Sequence, residues 1–248
     1  MKTFGLIGFP LSHSFSKKFF TEKFDREGHS DACQYKLFPI EDVRMLPDLI
    51  AGDPSLHGLN VTIPHKVSVL PFMDAMDEAA ARIGAVNCIS AREQQGRKWL
   101  SGYNTDAYGF EMSLRPLLQP HHTKALVLGD GGAARAVRYV LEKLNISFIA
   151  VVRNPVPGAV LYQDLTRDQL DTHQLLINTT PLGTFPKVDG APAIPYEWLS
   201  DKHLAYDLVY NPEVTTFLKL AKAAGATIKN GYEMLELQAE RSWQIWNT

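Results

Sequence analysis

The chain has 248 residues, 45% of them hydrophobic and 21% charged, a soluble globular composition that suits one large domain or two small ones. A formal net charge of −2 without any basic run gives no footing for a polyanion, so neither nucleic acid nor an acidic membrane surface is expected as a partner. Cys33 and Cys88 lie in different segments without C-x-x-C spacing, which excludes a disulfide framework and a zinc pattern while leaving one disulfide open.

The opening residues, "MKTFGLIGFPL", superficially resemble a signal peptide. Their apolar run is brief and broken by Pro10, and "SHSFSKK" follows in place of a small-residue cleavage site. No stretch is long and apolar enough to span a membrane. A cytoplasmic protein is therefore expected, and the N-x-[ST] patterns at Asn60, Asn145 and Asn178 read as chance matches to a loose motif.

Short β-rich apolar runs alternate with helical periodicity, which predicts sheets of βα units. Residues 3–8 read as a strand, and 16–28 as a helix with Phe20 and Phe24 four apart and Gly28 at its end. A strand at 34–40, a helical stretch at 41–50 disturbed by Pro47, and a strand at 56–63 follow. Residues 77–84 suit a helix, and "AVNCISAR" and "RKWLSG", separated by "EQQG", suit a β-hairpin. The next helix begins near Asn104 and runs to about Leu118, with "QPHH" after it as a linker.

The pattern then restarts. It predicts a strand at 124–129, a glycine-rich turn and a helix at 132–144, then strands at 147–152, 174–179 and 203–209. A helix at 213–224, a strand at 226–230 and a helix at 231–246 complete it. The fold class is α/β with two α/β domains. One, with a mostly parallel sheet, covers 1–103 and is rejoined by the last helix at 231–248; the other, Rossmann-like, covers 104–230.

In "VLGDGGAARAV", Gly129, Gly131 and Ala134 satisfy G-x-G-x-x-[GA] between a strand and a helix, the context that motif requires. The glycines allow a sharp turn and close approach to a pyrophosphate held at the helix N-terminus. The next strand ends in "AVVRNP", which offers Arg153 and no acid. NAD sites commonly place an acid there for the ribose hydroxyls, whereas NADP sites need a cation for the 2′-phosphate, so NADP is favoured. Asp130 is an anion inside the phosphate turn, and the expected use for it is to cap the helix while pointing away from the phosphates.

Four polar islands stand out in the first domain: "HSFSKK" with Ser14 and Ser16, "NVTIPHK" with Asn60, Thr62 and Lys66, "AVNCI" with Asn87, and "GYNTDAYG" with Asn104 and Asp106. Several fall at or just beyond strand ends, where open α/β sheets bind ligands. Each also has a plainer reading. Ser16 suits a helix N-cap, Asn104 or Asp106 the cap of the next helix, Thr62 a strand, Asn87 a neighbouring backbone group and Lys66 the surface. Singly, the plainer reading wins most of these; together, hydroxyls, amides, an ammonium and a carboxylate suit a small polyhydroxylated acid.

The wording and order of "GFPLSHSFS", "LNVTIPHK", "GAVNCI", "GYNTDAYGF", "LGDGGAARAV", "INTTPLGTFP", "YDLVYNPEVTTFL" and "NGYEMLELQA" resemble the shikimate dehydrogenase family over nearly the whole chain. The resemblance implies an N-terminal substrate domain, an NADP domain, and reversible NADPH-dependent reduction of 3-dehydroshikimate to shikimate. Carried over by position, Ser14 and Ser16 are similar to the pair that binds the substrate carboxylate, and Tyr210 to a tyrosine near it. Thr62, Asn87, Asp106 and Gln238, with Lys66, resemble the groups that hold the ring hydroxyls, and Lys66 and Asp106 match the catalytic pair. Gly129, Gly131, Gly132, Ala133, Arg153, Asn178, Thr179 and Thr180 match cofactor-facing positions, and Gly231 lies where the nicotinamide is expected. Asn60 is given only a structural or supporting role.

The chain departs from the family pattern at Lys17, where proline is frequent, and at Glu233, where glycine is common. "NPVPGAVLYQDL" after Arg153 is too short and Pro-rich for the helix expected there. Two alternatives stay open: a quinate or dual quinate/shikimate dehydrogenase, and a non-catalytic sensor of a shikimate-like ligand. A monomer or homodimer acting on a small molecule is expected.

Overall fold

The computed structural model describes residues 1–11 and 14–248; Ser12 and His13, part of the "GFPLSHSFS" string and its polar island, lie outside them. The chain forms two compact units, Met1–Asp106 with Gln238–Thr248, and Ala107–Leu237. Both changes fall within the first two turns of helices, whereas the sequence reading places them where those helices begin.

The first unit holds a six-stranded sheet in the order β2-β1-β3-β5-β6-β4. Its strands are β1 (Lys2–Gly8), β2 (Cys33–Pro39), β3 (Leu56–Val61), β4 (Ala75–Met76), β5 (Cys88–Gln94) and β6 (Arg97–Tyr103). β1 pairs in parallel with β2 and β3, β5 runs antiparallel to both neighbours, and β4 is parallel to β6. Every residue of β1 after Lys2 is buried, as befits a strand covered on both faces. Gln95 (φ 53°) and Gly96 (φ 78°) join β5 to β6, so the hairpin loop is the two-residue turn that demands positive φ at both positions.

The helices of this unit are α1 (Phe15–Arg26), α2 (Leu46–Gly52), α3 (His65–Ser68) and α4 (Glu78–Ile83). Ser14, not Ser16, caps α1: its hydroxyl accepts the Lys17 N–H at 3.2 Å. Pro47 lies in the first turn of α2, where a missing N–H costs no helical bond, so it opens this helix instead of disturbing one. The Asp77 side chain accepts the Ala80 N–H at 2.7 Å to start α4, and Gly84 (φ 69°) ends it.

The last helix of the chain, α9 (Tyr232–Asn247), brings Ala239, Ile245 and Trp246 into an aromatic core with Phe4, Phe20, Phe24 and Tyr35. Trp246 stacks on Phe4 at 4.9 Å between centroids, and its indole N–H donates to the Ile89 carbonyl at 2.9 Å. Beside it the buried Lys23 ammonium pairs with Glu27 at 2.7 Å and Glu240 at 2.8 Å. Burial acts against that charge, but hydrogen bonds to Glu240 and Glu27 outweigh it and hold the lysine above its ordinary range. Cys33 and Cys88 are buried and free.

The second unit contains β7 (Lys124–Leu128), β8 (Ser147–Val152), β9 (Ala159–Leu161), β10 (Leu175–Asn178), β11 (Leu204–Asp207) and β12 (Thr227–Lys229). All pair in parallel, in the order β9-β8-β7-β10-β11-β12. Counted from β7 this is 3-2-1-4-5-6, the doubly wound dinucleotide-binding order. Its helices are α5 (Thr105–Leu114, which starts at the end of the first unit), α6 (Gly132–Lys143), α7 (Arg167–Thr172) and α8 (Thr216–Ala223). Leu126, Leu128, Val151, Leu176 and Phe217 are at the centre of its core.

Two local expectations are corrected here. α5 stops at Leu114, short of Leu118, because Pro116 falls in a 3₁₀ turn over Arg115–Leu117. "QPHH" is a packed connection and not a linker: His122 is buried, its Nδ1 accepts the Gln119 N–H at 3.0 Å and its Nε2 lies 3.2 Å from the Lys202 carbonyl. The segment after Arg153, short and Pro-rich, makes no helix, as its sequence suggests, and goes on to form β9. Among the described residues no helix is long and apolar enough to cross a membrane.

Candidate functional site

In the first unit β1, β3 and β6 run in one direction, and the polar islands follow their carboxyl ends. Thr62 comes directly after β3, and its N–H donates to the Ile7 carbonyl at 3.0 Å. Gly8 makes this approach possible, since a Cβ there would collide with Thr62 Cγ2. Asn87 lies beside the end of β3, where its carbonyl accepts the Val61 N–H at 2.8 Å. Ser14 starts α1 after the β1 end, and Asp106 stands in the first turn of the helix that follows β6.

Two islands meet directly. Lys66 Nζ, on α3, donates to Asp106 Oδ2 at 2.7 Å. The Lys66 side chain is 35% exposed and that of Asp106 22%, so the pair is neither buried nor free in solvent. The Val86 N–H donates to the Lys66 carbonyl at 2.8 Å, tying α3 to the segment that carries Asn87.

Beneath the pair is a buried polar network that sequence reasoning finds only in part. Asn87 Oδ1 accepts the Thr105 N–H at 2.6 Å, and its Nδ2 donates to Thr105 Oγ1 at 2.9 Å. Thr105 Oγ1 lies 3.4 Å from Gln238 Oε1 and 3.3 Å from Ser242 Oγ. Asn60 Nδ2 donates to Ser242 Oγ at 2.9 Å, and the Tyr35 hydroxyl donates to Asn60 Oδ1 at 2.8 Å. Burial pushes the Tyr35 phenol well up, against a hydrogen bond with Ser16 that acts the other way, so it serves as a neutral donor. Asn60 thus acts as structural support, as its strand position suggests. Thr105, Tyr35 and Ser242 are absent from the sequence-derived set; hydroxyls on helix and strand positions carry no signal until their burial is known.

In the second unit a cavity of about 490 Å³ opens where the strand order reverses, beside the ends of β7 and β10. Gly129, Gly131, Arg153, Thr179 and Thr180 line it. Gly129 has φ 110°, and a Cβ there would stand 2.9 Å from both Thr179 Oγ1 and Thr180 Cγ2, so no other residue fits the turn unstrained. Gly131 caps α6 without a side-chain bond, and a Cβ at Gly131 or Gly132 would meet nothing within 4 Å. The Ala134 N–H donates to the Gly131 carbonyl at 3.1 Å, and no side chain caps the Gly132 and Ala133 N–H groups before it, the kind of helix start that suits an anion. Ala133 follows in that first turn.

Asn178 is wholly buried and its amide is committed within the protein. Nδ2 donates to Asp207 Oδ1 at 2.9 Å, while Oδ1 accepts from the Thr180 N–H at 3.0 Å and hydroxyl at 2.7 Å. Asp207 also accepts from Thr215 Oγ1 at 2.5 Å and the Val209 N–H at 3.0 Å. Sequence reasoning passes over Asp207, although an acid on an otherwise apolar strand was a usable signal. Tyr162 lines the same cavity, and its hydroxyl is buried without a hydrogen-bond partner. Burial pushes that phenol up to about 12, which leaves a neutral, unsatisfied donor. Uncapped N–H groups, a cation at the end of β8, a glycine cradle and an orphaned hydroxyl fit a dinucleotide carrying a 2′-phosphate.

Tyr210 and Gly231 also belong to this unit. Tyr210 is 41% exposed; the Gly231 N–H donates to the Val209 carbonyl at 3.2 Å, and a Cβ there would collide with the Leu208 carbonyl oxygen. Among the described residues no group of His, Cys, Asp or Glu could hold a metal ion.

A family model for the shikimate dehydrogenase substrate binding domain matches residues 6–89. The NADP(+) shikimate dehydrogenase of Geobacillus kaustophilus is 37% identical over 262 residues, covering 99% of this chain and 92% of that protein. The enzyme of the same name from Methanosphaera stadtmanae is 32% identical over 262 residues, covering 98% and 90%. A crystal structure of shikimate 5-dehydrogenase from Thermus thermophilus, in complex with NADP(H) and shikimate, matches with a TM-score of 0.84 and 30% identity, over 99% of this chain and 93% of that one.

Proposed function

Because this chain belongs to the shikimate dehydrogenase family, we propose that it catalyses the reversible NADPH-dependent reduction of 3-dehydroshikimate to shikimate, a step toward chorismate and the aromatic amino acids. The observation that carries the reading is the 2.7 Å contact between Lys66 Nζ and Asp106 Oδ2 at the carboxyl edge of the first sheet. Hydride transfer between a carbonyl and a carbinol also moves a proton at the oxygen, and a partly exposed ammonium–carboxylate pair is suited to that task.

A nicotinamide held at that site would supply or accept the hydride. In the direction of reduction the Lys66 ammonium donates a proton to the oxygen that gains negative charge as the hydride arrives at carbon, leaving a neutral amine and a hydroxyl. In the direction of oxidation the neutral amine takes that proton back. Asp106 orients Lys66 and the hydroxyl, with the carboxylate accepting whichever N–H or O–H lies nearest. Ser14 and Ser16 hold the substrate carboxylate, and Thr62, Asn87 and Gln238 assist with the ring hydroxyls. The internal bonds of Asn87 favour a single direction for its remaining amide proton, which supports orientation more than affinity.

Arg153, without an acid at the end of β8, supports NADP over NAD, as a cation for the 2′-phosphate. Gly131, Gly132 and Ala133 meet the pyrophosphate with backbone N–H groups, while Gly129, whose own N–H donates to the Val151 carbonyl at 2.8 Å, makes the turn that brings them there. Thr179 and Thr180 border the cofactor, and Asn178 fixes Thr180. The enzyme works in the cytoplasm on a small molecule, as a monomer or homodimer.

The test is to follow absorbance of the reduced cofactor with shikimate or quinate, each against NADP⁺ and NAD⁺. Shikimate with NADP⁺ should give the highest kcat/KM. A higher value with quinate would make this a quinate enzyme, and no turnover with any pair would make it a ligand-binding protein without catalysis.

A further inference from the structure

Asp130 is out of place in a phosphate turn, since its carboxylate adds negative charge between the two glycines that approach a pyrophosphate. It does not cap α6, because the cap position is Gly131 and no side chain bonds there. Asp130 instead lines the cavity and accepts a hydrogen bond at 2.5 Å from the guanidinium of Arg138, which reaches back from the middle of α6. An ordinary surface ion pair contributes little. Here, however, the Arg138 side chain is only 26% exposed, and its Nε is buried without a partner. Among the described residues this guanidinium makes one hydrogen bond, from Nη2 to Asp130, and Nε has lost water without gaining a partner.

We propose that Arg138 is a positioning residue for the dinucleotide: it neutralises Asp130 and holds its carboxylate off the phosphate path, so that the α6 N-terminus keeps its attraction for the pyrophosphate. This rests on the NADP reading of the second unit. The pyrophosphate is common to NADP⁺ and NAD⁺, so the effect is the same for both, unlike that of Arg153, which acts on the 2′-phosphate alone.

Calorimetric titration of the full chain with NADP⁺ and with NAD⁺ tests it, using wild type, Arg138→Ala, Arg138→Lys, Asp130→Asn and the Arg138→Ala/Asp130→Asn double variant. Arg138→Ala should weaken both dinucleotides about tenfold, as one unbalanced charge near a phosphate implies. Arg138→Lys should recover part of that loss. Asp130→Asn should bind as tightly as wild type or more tightly, and the double variant should stay close to Asp130→Asn. An equal loss from Arg138→Ala with and without Asp130 would make Arg138 a direct ligand or a fold support and overturn the proposal. So would weaker binding by Asp130→Asn, which needs no change at Arg138 to be read. Wild type that binds neither dinucleotide would instead overturn the NADP reading on which the proposal stands.

Discussion

Lys66 and Asp106 come from separate strings of the sequence, forty residues apart, and meet at 2.7 Å. If Lys66 handles the proton, Lys66→Ala should lower kcat by roughly 10²–10⁴ while leaving the fold intact, since the side chain is not part of the core. Near-wild-type turnover in that variant, measured by NADPH absorbance, would remove Lys66 from the mechanism. The polar islands were readable because polar residues at strand ends need a reason. What could not be read is which of them are consumed internally. Asn178 looks like a cofactor contact in sequence, yet its amide is spent on Asp207 and Thr180. Asp130, which reads in sequence as a helix cap, is likewise spent on a partner, eight residues on, at a spacing no helix or strand rule predicts. Hydrogen-bond saturation is a tertiary property, and one sequence does not carry it.

Elements with strong periodicity were legible: β1, β8, α6 and α9 lie within a residue or two of expectation. Those set by few residues were not. β9 is three residues long, and only its parallel pairing with β8 makes it a strand. Pro47 was ambiguous because proline both ends and opens helices, and only the position of the first turn decides. The breadth of the apolar face of α9 did predict burial, and its attachment can be weighed. Trp246 is 5% exposed, stacks on Phe4, and packs so closely on β3 that a Cβ at Gly58 would collide with its indole ring. Trp246→Ala should therefore cost about 3–5 kcal/mol. Urea unfolding followed by far-UV circular dichroism measures this, and a loss below about 1 kcal/mol would mean that α9 is held by something other than its aromatic face.

For the molecule as a whole, alternating βα signals were enough to anticipate two α/β units, and the G-x-G turn marked the second as the one with doubly wound order. The hairpin of β5 and β6 was legible in the sequence, although its loop is the two residues Gln95 and Gly96 and not the four of "EQQG". A buried acid leaves a different mark, on global stability. Asp207 is fully buried, and burial pushes its carboxyl up to about 6, against hydrogen bonds from Thr215, Val209 and Asn178 that favour the charged form. The unfolded chain has the ordinary value of 3.8, so the folded state binds this proton more tightly. Its contribution to stability is fully present below about pH 4 and is lost as pH rises through about 6. The difference between those two values corresponds to on the order of 3 kcal/mol. Other groups act in the opposite sense. The Glu111 carboxyl, for example, is held low despite burial by Lys143 and Arg115, and its contribution is lost as pH falls. The isolating measurement is thus a comparison with Asp207→Asn, which does not titrate there while Glu111 and the rest titrate in both proteins. Unfolding free energies from urea at pH 4.5, 5.5, 6.5 and 7.5 should show the advantage of wild type over the variant shrinking as pH rises, and flattening above about 6.5. A constant gap would mean that Asp207 keeps an ordinary carboxylate affinity, with its three hydrogen bonds fully offsetting the loss of water.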